Sequence, residues 1–383
     1  MSNAPYIILA CGGTGGHMMP AEAVADKLVK AKYDVTLVTD RRGEAIGNVF
    51  QDFDRFVLGA SSHMSGGIFG KIKSAFSIVT STLNVRRLFG RRKPAVVVGF
   101  GGYPSLPAVL AARMMNIPYV LHEQNAVLGR VNRWMASHCV LLALSVENTE
   151  RVPAGVKTVV SGNPVRTLMA SLANIAYAVP MGGGDIRMLI LGGSQGARIL
   201  SDVVPAALDK LGDEYRYQLD VTHQARAEDV ERVKTAYHDA QIRAEVKPYF
   251  DDVAGLLLKT QLVISRAGAS TLAELTAMGR PAILVPLGIA ADDHQSANAA
   301  RVEEVGGGWV VPEEDFTIER LADLLDKLFE DMGDMRNASD QMRTLARLDA
   351  ADTLATIIID IGQAKGDAKA DADVNPGKMS NAS

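Results

Sequence analysis

The sequence is poor in cysteine and has no long apolar run. Only Cys11 and Cys139 occur in 383 residues, which excludes a disulfide framework and fits a reducing compartment. No apolar run reaches the roughly 18 residues that a membrane-spanning helix needs. The longest candidate, 106–121, is broken by prolines and polar residues. The N-terminal apolar run has no basic region before it, so we expect no signal peptide.

Acidic residues are missing from one long segment. Between Arg55 and His122 there is no Asp or Glu but many Lys and Arg, although the whole chain has a net charge of −4. This asymmetry predicts a basic face on the N-terminal half of the chain. Such a face favours an anionic partner, which could be a phospholipid surface, a nucleic acid or a phosphorylated substrate.

Short apolar runs, each followed by glycine and by helical periodicity, recur along the chain. We predict strands at 6–10, 34–38, 95–99, 119–121, 186–191, 262–265 and 282–285. Buried strands that alternate with helices predict parallel sheets with helices on both faces. The strand, glycine turn and helix of 6–28 recur at 186–200. The predicted fold class is therefore α/β, with two doubly wound parallel-sheet domains in tandem.

Weak periodicity, a proline and a glycine run predict a domain boundary between Arg166 and Asp185. We therefore predict a first domain over 1–166 and a second over 167–344. An apolar helical segment near 345–361 could pack on either domain. From Gly362 onward the chain has almost nothing to bury, and we expect a disordered tail over 362–383.

The first glycine turn, GGTGGH, follows a predicted strand, and glycine lets a phosphate approach the backbone at a helix N-terminus. It does not match the dinucleotide fingerprint G-x-G-x-x-G, because Met18 stands where the third glycine belongs. Asp40 nevertheless lies about where a ribose-binding acid would be expected. An NAD-dependent oxidoreductase is therefore a rival interpretation, and glycines that serve only tight turns are another.

The segment RAGASTLAELTAMGRP at 266–281 is the most informative one. It follows a predicted strand, and we expect Ser270 to cap a helix that ends before Pro281. Backbone amides near its start would hold a phosphate, and Glu274, one helical turn on, would bind both hydroxyls of a ribose. The sequence therefore predicts a nucleotide site in the second domain. The alternative is that Glu274 is a solvated helix acid.

Other polar clusters, GFGGYPS, LHEQNA, GNPVR and DDHQSANA, also follow predicted strands. Ligands of open parallel sheets bind beyond the carboxyl ends of the strands, so we expect these clusters to line one cleft between the domains. Together with GGTGGH, GGSQGAR and RAGASTLAE, in this order and spacing, they resemble the MurG family. These proteins are the lipid-linked N-acetylglucosaminyltransferases of bacterial peptidoglycan synthesis. The resemblance covers about residues 5–360.

The resemblance implies the GT-B fold, in which two Rossmann-like domains face a central cleft and the C-terminal helix returns to the first domain. It implies inverting transfer of N-acetylglucosamine (GlcNAc) from UDP to the 4-hydroxyl of undecaprenyl-pyrophosphoryl-MurNAc-pentapeptide (lipid I), which forms lipid II. It also implies no cofactor, a peripheral location on the cytoplasmic face of the bacterial membrane, and partners among cell-wall synthesis and division proteins. A hydrolysing sugar-nucleotide epimerase and a non-catalytic nucleotide-binding subunit are the alternatives.

The resemblance also implies roles for individual residues. Phe250 would border the uracil, Glu274 would bind the ribose, and Arg166 and Ser194 would meet the pyrophosphate. The whole set implied for UDP-GlcNAc is Thr14, Gly15, Gly16, Asn125, Arg166, Ser194, Phe250, Ala269, Ser270, Thr271, Leu272, Glu274, His294 and Gln295. The acceptor would face Gly101, Gly102 and Tyr103. Family members often carry Leu at position 270, and His294 replaces a Gln of some relatives, which leaves its part in sugar recognition open.

Inverting transfer needs a base that takes the proton of the acceptor hydroxyl. His17 is the first candidate because the glycine turn aims it toward the cleft and imidazole titrates near neutrality. A contact to the acceptor phosphates is its alternative role, and Glu123 is the alternative base. No Asp-x-Asp pair follows a predicted strand, so we expect no metal. Helix N-terminal amides and Arg166 would stabilise the departing UDP instead.

The segment 65–93 combines apolar and basic residues with helical spacing. Its apolar stripe contains Ile68, Ile72, Phe76, Val79 and Leu83, and its flanking cations include Arg86, Arg87, Arg91 and Arg92. Basic amphipathic helices bind anionic membranes, so we predict a membrane-binding surface here. A merely solvated basic face is the alternative. No aromatic residues alternate with the cations as a stacking platform, so nucleic acid is not the expected partner.

Overall fold

A computed structural model describes residues 4–13, 15–44, 53–59, 67–179, 184–193, 196–288 and 292–374, without the side chains of 43–44, 67–72 and 365–374. The chain divides into two compact units. The first contains Met1–Gln124, Leu128–Pro164 and Asp349–Ser383, and the second contains Asn125–Val127 and Val165–Leu348. Which unit binds which substrate is not tested by this division, so the functional domains 1–166 and 167–344 stay predictions.

The first unit is built on a seven-stranded parallel sheet. Its strands are β1 (Tyr6–Ala10), β2 (Asp34–Asp40), β3 (Asp54–Leu58), β4 (Val96–Gly99), β5 (Tyr119–Glu123), β6 (Leu141–Leu144) and β7 (Thr158–Val160). Their order across the sheet is β3-β2-β1-β4-β5-β6-β7. The direction of winding reverses between β1 and β4, so the loops that follow these two strands lie side by side at the carboxyl edge.

Helices cover both faces of this sheet. The first helices along the chain are α1 (Gly15–Lys30), α2 (Arg41–Glu44), α3 (Gly67–Arg91), α4 (Leu106–Met114) and α5 (Arg130–Met135). Alternate residues of β1 enter two different cores, since Ile8 packs with Val97 on one face while Ile7 and Leu9 pack with α1 on the other. This two-sided burial explains why the central strands read as continuous apolar runs.

The second unit repeats the same plan with six parallel strands. They are β8 (Ile186–Leu191), β9 (Leu219–Gln224), β10 (Arg243–Lys247), β11 (Leu262–Ser265), β12 (Ala282–Leu284) and β13 (Gly308–Val310). Their order is β10-β9-β8-β11-β12-β13, and the winding reverses between β8 and β11. The prediction of two doubly wound parallel-sheet domains is confirmed.

The next helices along the chain lie around this second sheet. They are α6 (Thr167–Leu172), α7 (Arg198–Asp209), α8 (Asp213–Arg216), α9 (Val230–Asp239), α10 (Val253–Lys259), α11 (Ala269–Met278), α12 (His294–Glu304), α13 (Ile318–Glu330) and α14 (Gly333–Thr344). Arg343 of α14 holds the segment that follows α6. Its guanidinium donates hydrogen bonds to the carbonyls of Ala173 and Ile175.

The last helix, α15 (Ala350–Val374), belongs to the first unit and packs against α1. It continues past Gly362, where we had expected disorder, and Gln363 donates a hydrogen bond to the Tyr33 hydroxyl at 3.0 Å. The disordered tail was therefore wrong for 362–374, and 375–383 lie outside the described residues. Alanine is the strongest helix former, so the Ala-rich end of this segment continues a helix without apolar residues to bury. No helix among the described residues is long and apolar enough to cross a membrane.

Leu354 of α15 is completely buried in the core that β1 and α1 also line. We expect Leu354→Ala to lower the free energy of unfolding by about 2–5 kcal/mol, because it removes apolar contacts and leaves a cavity. Leu348→Ala is the matched control, since Leu348 is 39% exposed. Urea unfolding of both variants makes the comparison, and equal losses would contradict this packing of α15.

Candidate active site

The loops after β1 and β4 meet around the side chain of His17, in the first turn of α1. Gly101 and Gly102 follow β4 with φ angles of +84° and +72°. A Cβ on Gly101 would lie 3.3 Å from His17 Cε1, and a Cβ on Gly102 would lie 3.2 Å from His17 Cδ2. Glycine is therefore required here both for the backbone angles and for the close approach of the imidazole.

Two neighbouring polar side chains at the end of β5 complete the surroundings of His17. Gln124 Oε1 lies 3.1 Å from His17 Nδ1. Gln124 also lies 3.0 Å from His122 Nδ1, through its amide nitrogen. His122 is fully buried, and this desolvation lowers its pKa to about 4. His122 is therefore neutral at physiological pH.

Glu123, the alternative base, is bound within its own loop. Its carboxylate is almost fully buried, and Oε2 accepts hydrogen bonds from the Gly129 amide and from Asn132 Nδ2, both at 2.9 Å. The same amide nitrogen of Asn132 also donates to the His122 carbonyl at 3.0 Å. Glu123 therefore fixes the loop that connects β5 to α5.

Asp40, the acid that kept the oxidoreductase interpretation open, holds the glycine turn in place. It ends β2 and is almost fully buried, and its Oδ1 accepts the Gly13 amide at 3.1 Å. Its other oxygen pairs with Arg42 Nε at 3.2 Å. A ribose-binding acid would instead offer its carboxylate to a ligand.

In the second unit, α11 begins where β11 ends, next to the point of reversal between β8 and β11. Gly268 is its N-cap, with φ −71° and ψ 138°, and no side chain caps the helix. The expectation that Ser270 caps it was wrong, because Ser270 already lies inside the first turn. The positive end of the helix dipole thus lies at residues 269–272, where an anion is favoured.

Glu274 and Arg166 form an ion pair close to this helix start. Arg166 Nη2 lies 3.1 Å from Glu274 Oε1, and the Glu274 side chain is only 14% exposed. Burial raises the pKa of Glu274, and the charge and hydrogen bond of Arg166 oppose that rise. Glu274 is therefore not a solvated helix acid in this structure. The sequence motifs around 162–166 and 266–274 meet at this pair.

Asn298 of α12 connects three backbone segments of the second unit. Its Oδ1 accepts the Ala126 amide at 2.8 Å, and its Nδ2 donates to the Ala267 carbonyl at 3.1 Å. The same nitrogen donates to Asn125 Oδ1 at 3.1 Å. Asn298 therefore orients the amide of Asn125, a residue implied for the donor sugar.

The remaining implied donor residues are more dispersed. Gly15 and Gly16 begin α1, while Phe250 is buried beyond β10, three strands from β11. His294 and Gln295 begin α12, and Gln295 Oε1 accepts the Leu287 amide at 3.0 Å. Thr14 and Ser194 lie outside the described residues.

Tyr103, implied for the acceptor, begins a 3-10 turn directly after Gly102.

On the second unit, a cavity of about 400 Å³ opens at the carboxyl ends of β8, β9 and β10. Its lining is mostly polar and consists of Gly196, Gln224, Ala225, Arg226, Ala227, Glu228 and Pro248.

The predicted membrane-binding stripe lies on α3. Phe76 and Val79 are 70% and 55% exposed, whereas Val85 and Phe89 of the same helix are buried in the core. The side chains of Ile68 and Ile72 are outside the described residues.

The arginines that follow this stripe differ in their surroundings. Arg86, Arg87 and Arg91 are exposed. Arg92 is also exposed, but it pairs with Asp34 at 2.6 Å and lies over the Tyr6 ring. Its charge is thus already paired within the first unit.

Sequence reasoning missed the residues that hold the candidate site residues in place. Gln124 lies within LHEQNA and Asn298 within DDHQSANA, yet neither received a role. Their polar side chains in strand-following motifs were the available signal. Their partners are tens to hundreds of positions away in the sequence, so the spacing of residues could not identify them.

Comparison with known proteins agrees with this architecture. The glycosyltransferase family 28 N-terminal domain matches residues 7–140, and the family 28 C-terminal domain matches 187–354. A Granulibacter bethesdensis protein is 46% identical over 95% of each chain. A Caulobacter vibrioides protein is 43% identical over 92% of this chain and 97% of its own. Both are named UDP-N-acetylglucosamine–N-acetylmuramyl-(pentapeptide) pyrophosphoryl-undecaprenol N-acetylglucosamine transferase.

Solved structures give the same picture. The crystal structure of Acinetobacter baumannii MurG is 28% identical, covers 93% of this chain and 99% of its own, and superposes with a TM-score of 0.74. Neisseria meningitidis UDP-GlcNAc 2-epimerase, bound to UDP-GlcNAc, superposes with a TM-score of 0.66. It is 12% identical and covers 93% of this chain and 100% of its own, so the similarity is one of fold alone.

The two doubly wound units and the family 28 matches define a glycosyltransferase of the GT-B class. Within this class, the sequence identities extend over nearly the whole length of the chain. The chain belongs to the MurG family.

We expect Asn298→Ala to lower the free energy of unfolding of the second unit by about 1–3 kcal/mol, because buried backbone groups lose their partner. Asn337→Ala, at an exposed position of α14, is the matched control and should change little. Urea unfolding monitored by circular dichroism compares them. If both variants unfold like the parent protein, Asn298 does not connect these segments in solution.

Proposed function

We propose that this protein transfers GlcNAc from UDP-GlcNAc to the 4-hydroxyl of lipid I, with inversion, and so forms lipid II for peptidoglycan. The names of relatives that match along nearly the whole chain support the donor, the acceptor and the reaction. The observation that carries the proposal is the ion pair of Arg166 and Glu274 beside the N-terminus of α11. It supplies a cation, a carboxylate and a helix dipole for one nucleotide.

The donor binds to the second unit in this proposal. Its diphosphate lies at residues 269–272, where the dipole of α11 attracts negative charge. The guanidinium of Arg166 separates from Glu274 and binds the diphosphate. The Glu274 carboxylate then accepts hydrogen bonds from the two ribose hydroxyls. Asn125, oriented by Asn298, contacts the sugar, together with His294 and Gln295. Ser194 and Phe250 keep their predicted roles at the pyrophosphate and the uracil.

Negative charge grows on UDP as the bond to the sugar breaks. The guanidinium of Arg166 is always charged, and the helix dipole is fixed in the fold. Both are in place before the reaction, so they stabilise the departing group without reorganising. We therefore propose that transfer requires no divalent metal.

His17 is the proposed base. Its imidazole lies against Gly101 and Gly102, two residues predicted to face the acceptor. Glu123 is the weaker candidate, because hydrogen bonds from Gly129 and Asn132 commit its carboxylate to the loop. In this proposal Gly101 and Gly102 face the acceptor, and their lack of a side chain also leaves room for the imidazole.

The direct test measures label transfer from UDP-GlcNAc to a short-chain lipid I analogue, with and without EDTA. We expect transfer that chelation leaves unchanged. His17→Ala should lower turnover by about a hundredfold or more, since a general base contributes that much, while UDP affinity stays the same. His138→Ala, at an exposed position of the first unit, is the matched control.

Each rival function has a distinct result in this assay. Loss of UDP-GlcNAc without lipid I would favour an epimerase, and UDP binding without any UDP release would favour a non-catalytic subunit. Equal turnover of His17→Ala and the parent protein would rule out His17 as the base.

We further propose that the protein binds the cytoplasmic face of the membrane through α3, where its lipid-linked acceptor resides. The exposed Phe76 and Val79, followed by exposed arginines, support this surface. Arg92, which was also predicted for this surface, is exposed and paired with Asp34. Protein partners from cell-wall synthesis and division stay a prediction.

Substitution of Arg86, Arg87 and Arg91 by Ser should weaken binding to phosphatidylglycerol-containing vesicles by on the order of a hundredfold. Each cation near an anionic surface contributes about 1 kcal/mol. Vesicle sedimentation at low and moderate salt measures this. Arg198→Ser, at an exposed position of the second unit, is the control and should bind vesicles like the parent protein. Equal binding by the triple variant would leave α3 a solvated basic face.

A further inference from the structure

A chain of buried hydrogen bonds leads from the backbone of Gly162 to His17. It begins at a group whose role is certain, because the Gly162 carbonyl can only accept a hydrogen bond. His122 Nε2 lies 3.1 Å from this oxygen and must carry the proton that it donates. Burial keeps His122 neutral, so its other nitrogen, Nδ1, has a lone pair and can only accept.

Gln124 is the next member of the chain, and its amide orientation follows from its neighbours. The amide nitrogen lies 3.0 Å from His122 Nδ1 and 3.0 Å from the Phe100 carbonyl oxygen. Both are acceptors, and an NH₂ group has two protons to donate. The reverse orientation would place the amide oxygen against a lone pair and a carbonyl, with the side chain only 3% exposed. The oxygen of Gln124 therefore faces His17.

His17 receives its tautomer from this arrangement. Gln124 Oε1 can only accept, so His17 Nδ1, at 3.1 Å, must carry a proton. A neutral imidazole with a proton on Nδ1 has its lone pair on Nε2. The close approach of Gly101 and Gly102 to the ring limits its rotation away from this hydrogen bond.

We propose that Gln124, itself oriented by His122 and Phe100, is a positioning residue that holds His17 in the Nδ1–H tautomer and keeps Nε2 available as the proton acceptor. The catalytic consequence rests on the proposed function. The proton of the acceptor 4-hydroxyl moves to Nε2 of His17, and the hydroxyl oxygen forms a bond to C1 of GlcNAc. The bond between C1 and the phosphate oxygen of UDP breaks, and its electron pair leaves with UDP. Gln124 takes up no proton and keeps the Nδ1 hydrogen bond of the imidazolium.

The tautomer is measured on the free enzyme by NMR of ¹⁵N-histidine-labelled protein, and His17→Ala identifies the His17 signals among the seven histidines. We expect a protonated Nδ1 and an unprotonated Nε2 at a pH where His17 is neutral. A proton on Nε2 in the parent protein would overturn the proposal, whatever its activity. This measurement needs no substrate. Failure of label transfer would therefore count against the proposed function alone.

Gln124→Met keeps the side-chain length but removes the hydrogen bonds. We expect mixed tautomers of His17 and a kcat lowered by about tenfold to a hundredfold, less than for His17→Ala, with an unchanged KM for UDP-GlcNAc. His122→Phe should act in the same direction by removing the acceptor that orients Gln124. The double variant should then lose little more than Gln124→Met, because both act through one chain.

Gln363→Met is the matched control in the same unit, since Gln363 is exposed and donates a hydrogen bond to the Tyr33 hydroxyl. It should leave the tautomer and kcat unchanged. A single Nδ1–H tautomer in folded Gln124→Met would contradict the positioning role, as would a loss confined to KM. Urea unfolding monitored by circular dichroism shows whether a variant has folded.

Discussion

The candidate site depends on one constraint, the convergence of parallel strands at a single edge of each sheet. Where the winding reverses, between β1 and β4 and again between β8 and β11, two loops are forced to lie side by side. In the first unit these loops surround His17, and in the second unit α11 starts beside such a point. Sequence motifs far apart in the chain therefore become neighbours without any long connecting element.

Polar side chains with buried or partly buried hydrogen bonds hold these loops in place. Asp40 fixes the first glycine turn, Asn298 fixes Asn125, and Gln124 fixes His17, each through a hydrogen bond in a buried or partly buried setting. Buried polar groups are costly unless every partner is present, so each network favours one arrangement. The ion pair of Arg166 and Glu274 differs in the proposed mechanism, because there the nucleotide offers both members new partners. The ion pair can therefore separate when the nucleotide binds, while the surrounding hydrogen bonds stay intact.

The sequence predicted the central strands and glycine turns well, because strands buried on both faces read as apolar runs that end in glycine. The edge strands β3, β7, β10 and β13 and the inner strands β6 and β9 were missed. The pattern of β10 is weak because this strand buries only Val246, whereas β6 is fully buried and its apolar run was overlooked. The extension of α15 was missed because burial was expected to decide it, whereas alanine-rich helices need little burial. The cap of α11 was placed two residues too late in the chain. The pairing of Arg92 and the partners of Gln124 and Asn298 were missed. These features depend on contacts between distant segments.

A crystal structure of the protein with bound UDP tests the central claim most directly. The account predicts the diphosphate at the start of α11, the ribose hydroxyls on Glu274, and Arg166 moved from the carboxylate to the phosphates. UDP bound to the loop after β1 in the first unit, or an ion pair left intact beside bound nucleotide, would contradict it.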